Sequence, residues 1–418
     1  MLAGVGMLVA FAAPQHRPDL LVIGLVASAI GIAWSPLAGA FIVGGSLPAF
    51  FFGRNLVGPL SVTPPGLALV LTWVAVLVRR KQLVLRWPDT VYGWPLALLL
   101  VASLTSLAVT QYPLLSVREL RADILEPVLF FLLLQTWPAT TRWSLYGFVT
   151  AAGVTAIAAI AQAPLGIGGT AVEGVLRVQA WYPSANHLAL MLGRAWPFLL
   201  AAGLGWNRWT LAGAAVVGVA LVLTFSTGGW VGTLAATLVV LAALGYRKVA
   251  VWVGGASALL LVIVSGLAIV GKLPERLNPL RQTGGFRLDL WQSSLEMLRD
   301  HPLLGVGLDN FVYVYQQFYL REGAAAEPSL SHPHNWILNF WLSLGVLGLI
   351  AFVWLLVRFF RESRLRHKTW LVAGALGAVA DMLVHGFIDN SYFLVDLAFL
   401  FWLCLAISDQ PSATSTDS

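Results

Sequence analysis

From Pro65 onward the chain is a succession of apolar runs, at about 65–78, 91–109, 120–136, 143–163, 187–204, 209–225, 229–245, 249–271, 334–357, 369–387 and 391–408. Most come close to the roughly 20 residues that a helix needs to cross a bilayer. Hydrocarbon offers no partner to a backbone N–H or C=O, so runs of this kind can span only as helices, which satisfy those groups internally. Before Pro65 the runs Met1–Pro14, Leu20–Trp34 and Leu37–Phe52 are shorter and broken by Pro14, Pro36 and Pro48, which leaves two or three further spans open. The fold class expected is therefore all-α, a polytopic transmembrane helix bundle of roughly 12–14 spans. Composition agrees: 58% of the 418 residues are hydrophobic and 11% charged, against about 25% charged in soluble domains, and the mean hydropathy is +0.81.

The loops give the orientation. Basic residues gather at Arg79-Arg80-Lys81 with Arg86, at Arg142, at Arg208, at Arg247-Lys248 and between Arg358 and Lys368, in every second loop. By the positive-inside rule these loops are cytoplasmic, and 110–119, 164–186, 226–228, 272–333 and 388–390 face outward. The net charge of +6 is thus a topology signal, and no nucleic-acid partner is expected. No basic n-region or cleavage site precedes the first run, so no removable signal peptide is expected. The single cysteine, Cys404, lies inside an apolar run and permits no intramolecular disulfide.

One loop is far longer than the rest. The expected organisation is an N-terminal bundle (1–271), an outer loop (272–333) containing short helices, C-terminal transmembrane helices (334–408) and a disordered tail (409–418). Within the loop, Leu288, Trp291, Leu295 and Leu298 fall at helical spacing, a stripe able to lie on the membrane or the bundle. His301-Pro302 ends that helix, and Gly305-Val306-Gly307 reads as a turn.

Polar residues at the helix ends collect on the outward side. Arg118, Glu119, Arg121, Asp123 and Glu126 open one span, and Asn186-His187 opens another. Arg287 begins the loop helix, His334 opens the span at 334–357, and His385, Asp389 and Asn390 lie at the last outer turn. A helix start favours anions and a neutral imidazole, the form that accepts a proton. Each residue also has a plainer role. Arg287 can be a snorkelling interfacial arginine, and Arg118 and Arg121 can pair with Glu119, Asp123 and Glu126 along their helix. Asp389 can pair with His385, and Gly345 and Gly348 can form a small-residue face for a neighbouring helix. His301 and His332, beside prolines, are weak candidates. No histidine and carboxylate cluster has metal-site spacing, and no phosphate loop or serine nucleophile elbow occurs, so no metal or cofactor is expected. A transporter would place its ionisable groups near the midplane, where Asp381 and Asp396 are the main exceptions here.

Three stretches make the chain resemble the bacterial O-antigen ligase and O-antigen polymerase superfamily. They are Phe286-Arg287-Leu288-Asp289-Leu290-Trp291-Gln292 through His301-Pro302 to Gly305-Val306-Gly307-Leu308-Asp309-Asn310-Phe311; His334-Asn335 with Gly345 and Gly348; and His385-Gly386-Phe387-Ile388-Asp389. The resemblance implies a metal-independent glycosyltransferase of the bacterial inner membrane. It would use an undecaprenyl-diphosphate-linked glycan donor and a glycan or lipid acceptor at the outer face. Arg287 would hold the diphosphate and His334 would deprotonate the acceptor hydroxyl. The family pattern has Ser-Arg-Gly-Ala-Trp where this chain has Ser226-Thr227-Gly228-Gly229-Trp230. A second phosphate-binding arginine is therefore missing, and Arg118, Arg121 or Arg177 is the candidate substitute. Asn186, Asn335 and Asp389 complete the candidate substrate contacts. The alternatives are a transporter of a small, bicarbonate-like anion or of a lipid-linked sugar, and a non-catalytic scaffold for polysaccharide export.

Overall fold

The computed structural model describes residues 1–12, 18–57, 60–79, 91–167, 169–172, 175–270, 272, 284–321, 330–365 and 369–410. The polar tail beyond 410, the basic stretches at 80–90 and 366–368, and parts of the long loop lie outside the described residues. The first helices are α1 (Leu2–Ala12), α2 (Pro18–Trp34), α3 (Pro36–Ser46), α4 (Pro64–Arg79), α5 (Gly93–Ser106), α6 (Pro113–Glu119), α7 (Glu126–Thr136) and α8 (Ala139–Leu165). Then come α9 (Ala185–Gly205), α10 (Thr210–Leu223), α11 (Thr227–Ala243), α12 (Arg247–Ile269), α13 (Gly284–Asp300), α14 (Phe311–Val314), α15 (Trp336–Leu365), α16 (Trp370–His385) and α17 (Val395–Asp409). Two short antiparallel hairpins, β1 (Arg54–Val57) with β2 (Leu60–Val62) and β3 (Gly169–Val172) with β4 (Val175–Val178), sit in loops of this helical bundle.

Among the described residues, four helices are both long and apolar enough to cross a membrane: α8, α9, the Arg247–Leu267 part of α12, and α15. Eight further apolar helices are 10–17 residues long. The apolar helices differ in how far they are buried. The spanning window of α12 has 0% of its residues buried, and Leu259, Leu260, Leu261 and Val262 remain 61–68% exposed. A continuous apolar face of this kind needs a bilayer to cover it. Helix α17, apolar all round, is instead buried from Val395 to Ser408 at the centre of the bundle. There Trp402 donates to the Tyr392 hydroxyl at 3.1 Å, which satisfies the one polar atom of a wholly buried indole.

Three local features shape the site. The first is at Gly345, which takes φ 69 and ψ −176 inside α15, a conformation essentially reserved for glycine. A Cβ there would run into the Leu303 carbonyl. The break opens α15 to the loop: Val306 N donates to Leu342 O at 2.7 Å and Val346 N to Leu303 O at 3.0 Å. The Gly305-Val306-Gly307 turn and the kinked helix thus complete each other's backbone bonds. This corrects the expectation of a helix-packing role for Gly345. Gly345 is needed for its backbone, and the atoms nearest to a Cβ on Gly348 would be those of the Leu344 side chain.

The second feature is the π-helical turn Leu120–Leu125 that joins α6 to α7 without a break. A π-turn brings residues five apart onto one face. Arg121 Nε accordingly lies 3.3 Å from Glu126 Oε1, while Arg118 reaches out of the helix to Asp309 of the loop at 2.7 Å. The expected pairing along the helix therefore holds only for Arg121. The third feature is the packing of α13. The buried face is Leu290, Ser293, Ser294, Met297 and Leu298, packed near Trp341 and Leu342, while Leu288 and Leu295 are exposed. Of the expected stripe, Leu298 therefore packs toward the bundle, while Leu288 and Leu295 face away from it.

Candidate active site

His334 lies just before α15 with φ 49, left-handed backbone that costs a non-glycine residue of order 1–3 kcal/mol and tends to mark functional sites. The fold holds it from both sides. Asn335 caps α15, its Oδ1 accepting from Ile337 N at 3.0 Å and Leu338 N at 3.2 Å, while its Nδ2 donates to Phe387 O at 3.2 Å. Trp336 N donates to Gly386 O at 2.8 Å. From the loop side, Trp291 of α13 donates to Pro333 O at 3.1 Å, and Trp341 donates to Pro302 O at 2.7 Å. The side-chain amide of Asn335 is therefore engaged in building the site.

These bonds bring the third sequence stretch, 385–389, against the second. His334 Nδ1 lies 3.1 Å from Asp389 Oδ1, which also accepts from Asn390 N at 2.8 Å. Burial alone would raise the Asp389 carboxyl. Hydrogen bonds from His332 and His334, with the nearby charge of His334 and His385, more than offset this and hold it well below the usual carboxylate range. Asp389 is thus ionised and can only accept, so in the neutral form of His334 Nδ1 carries the proton and Nε2 the lone pair. The i, i+4 pairing of Asp389 with His385 expected from the sequence is replaced by this bond across the fold.

His332 is the residue whose place sequence reasoning missed. Its ring stands 4.3 Å from that of His334, and its Nε2 lies 3.5 Å from the same Asp389 oxygen. Burial, then the neighbouring His334, lower its pKa to about 4, against the opposing pull of Asp389, so it is neutral near pH 7. The only signal was a histidine two positions before His334. The donor atoms of His332, His334 and Asp389 all lie within 4.8 Å of one another, and two imidazoles with one carboxylate are the donor set of a facial metal centre. No spacing along the chain announced this cluster, because 55 residues separate its two segments.

The arginines divide into two groups. Arg177, on β4, donates through Nε to Thr224 O at 2.8 Å and through Nη2 to Asn186 Oδ1 at 2.6 Å. Burial lowers its pKa and the charge of Asp389 opposes that shift, which places its guanidinium in the field of the site. Arg287 lies on α13 at i−3 and i−7 from the buried Leu290 and Ser294, hence on the bundle-facing side of that helix. Its charge acts at His385. Arg118 and Arg121, by contrast, are taken up by Asp309 and Glu126. Asn186 serves the site by fixing Arg177, and Ser184 caps α9 through His187 N at 3.2 Å.

The two deep carboxylates are also occupied. Asp381 forms a buried ion pair with Arg194, which donates as well to Ser391 O at 3.3 Å. Asp396 accepts from the Tyr182 hydroxyl at 3.0 Å and from Leu397 N at 2.9 Å. Arg194, in the middle of an apolar run, was passed over in the sequence. Its burial beside Asp381 is what allows both charges inside the bundle.

Comparison with known proteins adds a consistent picture. The O-antigen ligase family model matches residues 212–353, which include Arg287, His334 and Gly345 and exclude Arg177 and Asp389. A Rickettsia conorii protein named for polysaccharide ligation is 29% identical over 102 residues, 23% of this chain and 25% of that protein. The O-antigen ligase of Salmonella typhimurium is 26% identical over 284 residues, 59% of this chain and 64% of that protein. The chain thus spans about a quarter of the first relative and just under two thirds of the second. The family match and both likenesses, carried by a multi-pass helical bundle with its motifs drawn to one place, support membership of the O-antigen ligase superfamily.

Proposed function

We propose that this chain is a glycosyltransferase of the bacterial inner membrane, in cell-surface polysaccharide biosynthesis. It passes a glycan from an undecaprenyl-diphosphate-linked donor to the hydroxyl of a glycan or lipid acceptor, at the outer face where the loop 272–333 lies. The observation that carries the reading is the His334–Asp389 pair at 3.1 Å with Arg177 and Arg287 in its field.

In this mechanism Asp389 fixes the tautomer of His334, whose Nε2 takes the proton of the acceptor hydroxyl. The acceptor oxygen attacks the anomeric carbon as the bond to the diphosphate breaks, and the electron pair leaves on the diphosphate oxygen. The configuration inverts. The developing negative charge needs fixed cations, and guanidinium forks fit phosphate oxygens two at a time. Arg287 supplies one. Arg177, anchored to the Thr224 carbonyl, is the best-placed substitute for the arginine missing at Thr227. Arg118 and Arg121, already paired, are not needed for this role.

Complementation tests the reading. Wild type and His334→Ala are expressed in bacterial strains lacking either the O-antigen ligase or the O-antigen polymerase, with and without a chelator, and the glycan ladder is read on a gel. Product in one strain, absent with the inserted His334→Ala protein and unaffected by the chelator, is expected. Wild-type product from the variant removes His334 from the chemistry. Loss on chelation that a divalent ion restores would turn His332, His334 and Asp389 into metal ligands.

A further inference from the structure

Beside the His332–His334–Asp389 cluster lies a cavity of about 190 Å³ that the proposed chemistry does not use. Its lining includes the carboxylates of Glu119 and Asp309, the amides of Asn339 and Asn390, and the Ser343 hydroxyl, with the rings of Phe311 and Phe393. His332 forms one edge, and across that edge stands the His334 ring at a centroid distance of 4.3 Å. Neither Arg177 nor Arg287 is among the lining residues.

Each of these features selects against one class of occupant and for another. With Glu119 and Asp309 in its wall and no arginine or lysine lining it, the cavity offers a diphosphate no counter-charge, so it is not the donor's phosphate site. The volume is well below the roughly 300–1,000 Å³ of pockets for drug-sized ligands, which excludes a glycan repeat or a lipid and leaves room for one ring. Carboxylates accept from paired hydroxyls, amides both donate and accept, and an aromatic face packs against the C–H face of a pyranose. The polar side chains are held in place for such a task. Asn339 Nδ2 donates to Asn390 Oδ1 at 3.3 Å, Ser343 donates to Asn339 Oδ1 at 3.3 Å, and Asn390 Nδ2 donates to Phe393 O at 2.8 Å. Asp309 is fixed by Arg118 at 2.7 Å.

We infer that this cavity is the acceptor subsite, binding the terminal monosaccharide of the acceptor so that one of its hydroxyls meets His334 across the His332 edge. The inference rests on the transferase reading for the word acceptor, but not for the binding of a sugar ring. It gives the paired arginine Arg118 a role as well: through Asp309 it orients a wall of the pocket rather than touching the donor.

The test uses the full chain in detergent or nanodiscs and two substitutions. Ser343→Leu fills the floor of the cavity, and Glu119→Gln keeps the shape while replacing the carboxyl group by an amide. Free glucose, galactose, mannose and glucosamine are probed by saturation-transfer NMR, and transfer kinetics are measured with the donor and acceptor concentrations varied separately. Expected are a saturation-transfer signal from at least one hexose that Ser343→Leu abolishes, and at least a tenfold rise in acceptor KM in both variants. Donor KM and the rate at saturating acceptor should stay within about twofold of wild type, which also shows that the variants are folded. A signal unchanged by Ser343→Leu, no signal from any hexose, or an unchanged acceptor KM in an active enzyme overturns the subsite and leaves the transferase reading standing. A hexose signal that Ser343→Leu abolishes in a protein that transfers nothing keeps the sugar pocket and overturns the transferase.

Discussion

Asp389→Asn separates the charge of the orienting group from its shape. The asparagine oxygen can still sit near His334 Nδ1, where the carboxylate stands 3.1 Å away, and can still accept from Asn390 N, 2.8 Å away in the wild type. What disappears is a full negative charge that the surrounding histidines hold well below its usual pKa. Without it, the amide can equally turn its NH2 toward Nδ1, so the Nδ1–H tautomer is no longer enforced, and the imidazolium formed when His334 takes the acceptor proton loses its counter-charge. Replacing the buried aspartate of a Ser-His-Asp triad by asparagine lowers kcat about 10⁴-fold, and general-base assistance as such is worth roughly 10²–10⁴. The expected loss here is therefore about 10²–10⁴-fold in kcat, or ~3–5.5 kcal/mol, with donor KM little changed. The assay is single-turnover transfer by the purified chain in nanodiscs, with unfolding midpoints recorded to exclude a global effect. An Asp389→Asn protein that transfers within threefold of wild type would refute the argument, since the bond would then be architecture only.

Further expectations follow from the same geometry. Arg287→Lys, which keeps the charge and loses the fork, should lower kcat/KM at least tenfold for the lipid-linked donor. Arg177→Gln should raise donor KM, and normal donor kinetics in Arg177→Gln would leave the Thr227 position without a substitute. Gly345→Ala puts a Cβ against the Leu303 carbonyl on backbone at φ 69. It should cost about 3 kcal/mol or more and uncouple the loop, read as a lower unfolding midpoint and faster proteolysis between α13 and α15. His332, lowered from 6.5 to about 4 in the folded protein, favours the fold while it is neutral. That contribution is full above pH 6.5 and is lost as pH falls toward 4. At about 1.4 kcal/mol per pH unit the span is worth about 3 kcal/mol. The unfolding midpoint should therefore fall between pH 7 and 4.5 in wild type and fall less in His332→Gln; parallel curves would count against the assignment.

The sequence alone determined that this chain is a helical membrane bundle, because apolar runs of span length have no other way to satisfy their backbone in lipid. It also offered Arg287 and His334 as candidates among the polar residues at the helix ends, and the resemblance to the O-antigen ligase superfamily is what gave them roles. The glycines at 345 and 348 were visible too, but their reason was not. Only the fold shows that Gly345 breaks α15 so that the 303–307 turn can hydrogen-bond into the gap. The pairing of His334 with Asp389, the entry of His332, the anchoring of Arg177 on Thr224 and the Arg194–Asp381 pair were all decided by tertiary structure. Each joins segments between 47 and 187 residues apart, or lies next to such a junction. Periodicity along one helix carries no information about which polar end will meet which. In a bundle of apolar helices those meetings are fixed by how the helices pack, and packing depends on shape across the whole interior.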